Sequence, residues 1–344
     1  MPDQIIEFIQ SNKKEWDVEL ENSDISLIRR SSTWLGASGK VVYLVFKKGG
    51  KVPVLILKTV LNPESGQVLE KEAKNVFFLW EKYPAVCRDV VPEPIELAEI
   101  NDLPVYVEKA IPGTTLPELA ANKWTKKRKY SVLDEGIEFA YDWLLKLIEV
   151  VRIDFKRLDH HDIDNIFLRN IKLYRDNFSE TFINSGCLTE LEKYAEKMEG
   201  QKFPFIAGHG DFWGGSLLQG INKQWHIIDW EFYQTKSMSF FDHFMLAVHP
   251  GFCIGAKNCS LVDEFSLCFL DNKHTQRIKG SLAVLTAKMD VEKNLIEFMF
   301  MMFLISMSLE RDRSSQKSNT NNRNTWNACL YYYLENKKKI RILP

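Results

Sequence analysis

Two aspartates, Asp211 and Asp229, stand where a pair of carboxylates could divide one chemical task. Asp211 lies in Gly208-His209-Gly210-Asp211-Phe212-Trp213-Gly214-Gly215-Ser216-Leu217-Leu218, and Asp229 closes the short apolar run Ile227-Ile228 ahead of Trp230 and Glu231. Acids spaced in this way around a hairpin-like stretch suit phosphoryl transfer. A transferred phosphoryl group carries dispersed negative charge, so one carboxylate must hold Mg²⁺ while a second receives the proton of the attacking hydroxyl. Asp229 and Asp211 are the candidates for these two tasks.

The elements that must position them are legible in part. Residues 1–22 read as a leading helix with Ile5, Ile6, Ile9 and Trp16 on one face, followed by strands over 25–30, 41–47 and 52–60, the last two joined by a turn at Gly49-Gly50. Lys58 shares a strand face with Val54, Ile56 and Val60, where an ammonium group needs a partner unless it snorkels from an edge strand. A helix over 65–83 supplies that partner: Glu72 lies one turn from both Val68 and Val76, whereas Glu70 takes a solvated azimuth. The small-residue loop Gly36-Ala37-Ser38-Gly39 is either a plain turn or a place where backbone N–H groups approach phosphates closely.

Further along, strands are expected over 95–100 and 104–110, then a helical region over 116–199 that includes a strongly apolar helix at 137–151. The group His160-His161-Asp162-Ile163-Asp164-Asn165 reads as a loop or a helix start capped by Asp, with metal ligation or a place in an acceptor pocket as the alternatives. Phe241 to Phe244 opens another helix, helices continue over 262–270, 277–288 and 292–308, residues 311–324 read as a flexible loop, and a last helix spans 326–336.

The loop and the acidic turn together resemble the small-molecule kinases of the aminoglycoside phosphotransferase and choline kinase superfamily, relatives of protein kinases. The resemblance rests on His209, Gly210 and Asp211 in the catalytic loop and on Ile228, Asp229, Trp230 and Glu231 in the metal turn. It implies an α+β, protein kinase-like bilobal fold, with a small antiparallel-sheet N-lobe over 1–110 that binds nucleotide and a larger, mainly helical C-lobe over 111–344 that carries the catalytic loop and the acceptor site. It further implies ATP and Mg²⁺ as cofactors, Lys58 held by Glu72 against the nucleotide phosphates, and Ser38 as a phosphate-contacting hydroxyl. Backbone groups around Glu108 and Ala110, in Val107-Glu108-Lys109-Ala110-Ile111-Pro112-Gly113, would receive adenine at the interlobe hinge. The chain departs from the family at Ser216, which stands at the position of a metal-binding Asn. A serine hydroxyl can ligate Mg²⁺ but is shorter than a carboxamide. His209 is expected to brace the loop, Asp242 to be structural, and Glu231 either to order the turn of Asp229 or to face the acceptor.

The implied activity is transfer of the ATP γ-phosphate to a hydroxyl of a small molecule such as an amino alcohol, an aminoglycoside or a sugar. A non-catalytic, nucleotide-binding regulatory relative is the competing class. A protein kinase is disfavoured, because Trp213 stands where protein kinases place a Lys. Tyr233, Asp162, Asp164, Asp263, Glu264 and Trp326 are of types that suit a cationic acceptor and that suit a lobe surface equally.

Composition sets the outer bounds. The 344 residues allow two sizeable cores, and 45% apolar with 26% charged residues is globular usage. A formal net charge of −1 argues against a protein that grips nucleic acid over its whole surface. Six cysteines without metal-ligand spacing, and an N-terminal stretch carrying Asp3 and Glu7, read as reduced thiols in a cytoplasmic protein. The run 298–309 is too short to span a bilayer and is expected to be a buried helix, so no membrane partner is expected. Oligomeric state is not legible.

Overall fold

The computed structural model describes residues 2–12, 14–16, 25–31, 39–122, 126–178, 185–251, 260–318 and 325–343. The chain divides into two compact units, one of residues 1–114 with 218–233, the other of residues 115–217 with 234–344. The hairpin and the turn of Asp229 thus cluster with the N-terminal residues, although they lie within the 111–344 segment expected to form the second lobe.

The first unit is built on a five-stranded antiparallel sheet. Helix α1 (Pro2–Asn12) precedes β1 (Ile25–Ser31), β2 (Lys40–Lys47) and β3 (Pro53–Val60), then come α2 (Gly66–Lys82), β4 (Pro94–Ile100) and β5 (Leu103–Lys109). The strand order is β1-β2-β3-β5-β4. Alternation fixes the register: Leu55 and Leu57 point into a core with Val41, Tyr43, Val45, Val105 and Val107, which Ile5, Ile9 and Trp16 cover. The leading helix is shorter than the 1–22 expected, ending at Asn12, and residues 17–24 lie outside those described. The turn between β2 and β3 forms at Gly49, with φ +76°, a conformation glycine adopts without Cβ strain.

The second unit is mainly helical. Its longest helices are Lys126–Val151 and Lys293–Ser318, and within the latter Phe298 to Leu304 are all buried. No described helix is long and apolar enough to cross a membrane. Helix Lys293–Ser318 corrects the expectation of a flexible loop over 311–324 as far as Ser318, and residues 319–324 lie outside those described. Ser-rich composition lowers helix propensity, but extending a nucleated helix fixes only one residue per added hydrogen bond. A three-stranded sheet of Asp154–Arg157, Lys202–Gly208 and Gln234–Met238 adds strands that the sequence pattern does not predict, and its central strand leads into the loop of His209 to Ser216. The α+β class is what the elements have, a small antiparallel sheet and a larger, mainly helical remainder.

One buried group of the second unit yields a pH prediction. His243 is fully buried and neither ring nitrogen has a hydrogen-bond partner, so burial lowers its pKa from 6.5 to about 3. The unfolded chain then binds the proton that the folded one refuses. The stability associated with a neutral His243 is complete above about pH 6.5 and is lost as pH falls toward about 3. Denaturant unfolding at pH 7.5 and pH 4.5 is expected to show a smaller acid loss for His243→Phe than for the wild type. Equal losses would refute the assignment.

Candidate functional site

Lys58 is the centre of a buried charge cluster in the first unit. Its Nζ lies 2.6 Å from Glu72 Oε1 and 2.9 Å from Glu108 Oε1, and 5.6 Å from the centroid of the Tyr106 ring. The sheet register explains the grouping. Lys58 stands opposite Tyr106 on β5 and opposite Val42 on β2, so Glu108 and Lys40 are its diagonal neighbours on the same face. Glu72, 1% exposed, reaches this face from α2, as the helical stripe of Val76 and Ala73 predicts, while Glu70 pairs with Lys74 in solvent.

Lys40 completes the cluster. Its Nζ is 2.7 Å from Glu72 Oε2 and 3.2 Å from Glu231 Oε2. Carboxylate oxygens of Glu72, Asp229 and Glu231 all lie within 4.8 Å of one another. Asp229 takes φ +66°, the left-handed region that Asp and Asn enter more readily than other non-glycine residues. Asn75 clamps this turn by donating to the Trp230 carbonyl at 2.8 Å, and the Trp230 indole donates to the Ile227 carbonyl at 3.1 Å.

The electrostatics follow from burial and pairing. Burial alone would lower the pKa of Lys58, but Glu108, Glu72 and Asp229 outweigh it and hold the ammonium well above its ordinary value. Lys40 is raised in the same way: Glu72, Glu231 and Asp229 overcome its desolvation. Glu72 is buried, yet the Lys58 and Lys40 charges push its pKa down. Glu108 is raised, because burial and the nearby Glu72 charge exceed the attraction of Lys58. Glu231 is raised to about 7 by burial and by Glu72, against the pull of Lys40. Lys58 therefore holds Glu72 ionised, and Glu108 is the carboxylate nearer to taking a proton.

In the second unit the strand Lys202–Gly208 delivers the loop of His209 to Ser216. Asp242, buried in the first turn of helix Phe241–Val248, accepts the N–H groups of His209 at 2.6 Å and of Gly210 at 2.9 Å. This is the structural role expected of it, and burial raises its pKa in spite of the His209 ring and these two bonds. His209 is buried and its Nδ1 accepts the Asp211 N–H at 3.3 Å, so the ring braces the loop. Gly210 has φ +85°, and a Cβ on Gly208 would stand 2.9 Å from that of Ser237. Trp213 stacks on His249 with centroids 4.5 Å apart, and a Cβ on Gly215 would fall 2.1 Å from the Trp213 ring, which accounts for glycine there.

Ser216 is buried, and its hydroxyl donates to the Asp211 carbonyl at 2.7 Å. That bond uses the hydroxyl proton on the loop itself and leaves the oxygen lone pairs as its means of reaching a metal. Ser38 lies outside the described residues. The Ala110 N–H donates to the Val54 carbonyl at 3.1 Å, so this backbone donor is taken up by the sheet, and the Glu108 side chain faces Lys58. Glu108, for which the resemblance implies a backbone contact with adenine, thus also lends its side chain to Lys58, and Lys40 joins the cluster without any motif that marks it in the sequence. Both were accessible from strand parity once the pairing of β2, β3 and β5 is known.

Other residues named from the sequence have local partners. Asp162 pairs with Lys156 at 2.5 Å and closes a capping box with Asp159, matching the expected capped helix start. Asp263 forms a capping box with Ser260. Glu264 is fully buried with Oε2 3.0 Å from His249 Nδ1, and Trp326 meets the His249 ring edge-on. Tyr233 packs edge-on against Trp230 in the first unit.

The oxygen donors of Glu72, Asp229 and Glu231 fit a hard divalent cation, which takes carboxylate ligands. No protein-family model matches the chain, and no curated protein matches it. Among solved structures it is similar to the AMP-bound spectinomycin phosphotransferase APH(9)-Ia, at 10% identity and TM-score 0.48 over 97% of this chain and 94% of that one. It is also similar to an aminoglycoside phosphotransferase from Alicyclobacillus acidocaldarius, at 11% identity and TM-score 0.47 over 95% and 92%. A third likeness is to APH(3'')-Id from Streptomyces rimosus in complex with ADP and streptomycin, at 13% identity and TM-score 0.45 over 89% and 98%.

Proposed function

We propose that this protein is an ATP-dependent phosphotransferase that moves the γ-phosphate to a hydroxyl of a small molecule. The observation that carries the reading is the buried Lys58–Glu72 pair on the same charge cluster as Asp229. A lysine kept charged in this way offers a fixed cation to nucleotide phosphates. Asp229 would hold Mg²⁺, with Glu231 and Ser216 as further oxygen donors. Bound Mg²⁺ would neutralise charge on the phosphates and align them.

Asp211 would accept the proton of the acceptor hydroxyl. Its backbone is fixed on both sides, by the bond to His209 Nδ1 and by the Ser216 hydroxyl, so the carboxylate is held by the loop. Lys58 would orient and neutralise phosphate oxygens, with Glu72 and Glu108 keeping it extended. An amino alcohol, an aminoglycoside or a sugar-like molecule is the acceptor class.

A second reading, a catalytically weak relative that binds nucleotide for regulation, is favoured by one observation: the Ser216 hydroxyl is committed to the Asp211 carbonyl at the position where the resembled family has Asn. Calorimetric titration with ATP and with GTP, each with and without Mg²⁺, followed by ADP release against a panel of amino alcohols, aminoglycosides, sugars and nucleosides, separates the two. Mg²⁺-dependent binding with acceptor-stimulated ADP release is the expected result. Binding without turnover for every acceptor would favour the regulatory reading, and no nucleotide binding would overturn both.

A further inference from the structure

We propose that Lys40 is the displaceable occupant of the cation site formed by Glu72, Asp229 and Glu231, and that it sets how tightly the free protein takes a divalent ion. The inference rests on the functional reading above, which assigns the metal to Asp229. It goes further by assigning a role to a residue that the reading does not use.

The geometry places an ammonium group among the metal's own donors. Lys40 Nζ contacts Glu72 Oε2 at 2.7 Å and Glu231 Oε2 at 3.2 Å, two of the three residues whose oxygens cluster within 4.8 Å. The two contacts differ in kind. Glu72 Oε2 accepts a hydrogen bond from Lys40, whereas the buried Glu231 Oε2 has no hydrogen-bond partner although the ammonium is within ion-pair distance. A metal ion arriving at Asp229 and Glu231 would therefore meet a carboxylate oxygen that carries no directed bond.

Charge matching points the same way. Four carboxylates, Glu72, Glu108, Asp229 and Glu231, face two ammonium groups, Lys40 and Lys58. Lys58 shares its contacts between Glu72 and Glu108, and Glu108 is not among the three donors. Lys40 has both its partners, Glu72 and Glu231, within the donor set. Its backbone is anchored at the start of β2, where the preceding Gly39 carbonyl accepts the Leu61 N–H at 2.9 Å, and its four-carbon stem lets the ammonium swing without moving the strand. A divalent ion must displace this charge or bind beside it, and either way removing the charge strengthens metal binding.

The test is Mn²⁺ binding to the full chain without nucleotide, read from the loss of the free-ion electron paramagnetic resonance signal. Lys40→Gln is expected to bind Mn²⁺ about tenfold or more tightly than the wild type, and Glu231→Gln in the same chain is expected to abolish the gain. Lys74→Gln, which removes an exposed lysine paired with Glu70, is expected to change nothing. Lys40→Arg keeps the charge and grips two carboxylates with a planar fork, so it is expected to bind Mn²⁺ more weakly than the wild type, an arm that holds even if Lys40→Gln fails to fold. Lys40→Gln binding no tighter than a measurable wild type, a gain that survives Glu231→Gln, or unchanged binding by Lys40→Arg would overturn the inference and leave the functional reading standing. Mn²⁺ binding by no form of the protein, with or without ATP, would overturn both.

Discussion

Asp211→Asn is expected to lower acceptor-dependent ADP release by about 10²–10⁴-fold, the usual contribution of a general base, while Mg²⁺-nucleotide affinity stays near that of the wild type. The reasoning is local. The backbone of this residue is held by the loop: its N–H donates to His209 Nδ1, its carbonyl accepts from Ser216, and Asp242 holds the two preceding N–H groups. An isosteric carboxamide leaves those backbone bonds intact and removes the negative charge together with the ability to take a proton. Lys58, Glu72 and Asp229, the groups proposed to hold nucleotide and metal, belong to the other unit. Steady-state ADP release together with calorimetric titration checks both halves. A variant that turns over like the wild type would remove Asp211 from the chemistry, and one that loses nucleotide binding as well would show that the substitution had damaged more than a proton acceptor.

Lys58→Met carries the largest expected cost to stability. Lys58 is 5% exposed and bridges Glu72 and Glu108, and removing one partner of a buried pair strands the other at about 3–5 kcal/mol. For a chain of this size that corresponds to a fall in melting temperature of about 4–7 °C. The stranded group is Glu108, since Glu72 keeps the Lys40 ammonium at 2.7 Å. Lys58→Met with Glu108→Gln is therefore expected to recover part of the loss, because the double variant no longer buries an unpaired carboxylate. Nucleotide affinity is expected to fall in both, since neither retains the cation proposed to face the phosphates. Calorimetric melts of the wild type, Lys58→Met, Glu108→Gln and the double variant test the coupling. Strictly additive losses, or a melting temperature for Lys58→Met equal to that of the wild type, would contradict the pairing.

The pH sense of this penalty is fixed by the same residues. Burial and Glu72 already raise the Glu108 pKa while Lys58 lowers it, so without Lys58 the carboxylate takes a proton at higher pH still. The destabilisation caused by Lys58→Met is expected to be largest where an isolated Glu is ionised and to shrink as pH falls, because a protonated Glu108 no longer needs a cation.

The sequence by itself determined the chemistry-bearing residue types and several elements that hold them. Period-two alternation places Lys58 on a strand face that must pair its charge, and helical spacing puts Glu72 beside the buried stripe of α2. Both inferences rest on local periodicity and survive folding because burial enforces it. The Gly49-Gly50 turn, the hairpin before Asp229, and the capped helix start at Asp159 to Asp162 are legible for the same reason: each is set by residues within a few positions of one another.

Tertiary structure decided what depends on pairing between distant segments. That Glu108 is a second carboxylate on Lys58, and that Lys40 shares Glu72, follows from the register of β2 and β5 against β3, which no local pattern states. The strand Lys202–Gly208 sits between two partners distant in sequence, and its own residues give little alternation because Phe203, Pro204, Ile206 and Ala207 are all buried. Helix Lys293–Ser318 outruns its apolar stretch because propagation depends on the turn before it more than on the residues added. Glu231 shows the division most plainly. Its place after Asp229 is written in the sequence, but a carboxyl raised to about 7 beside a lysine ammonium exists only because the fold buries it against Glu72.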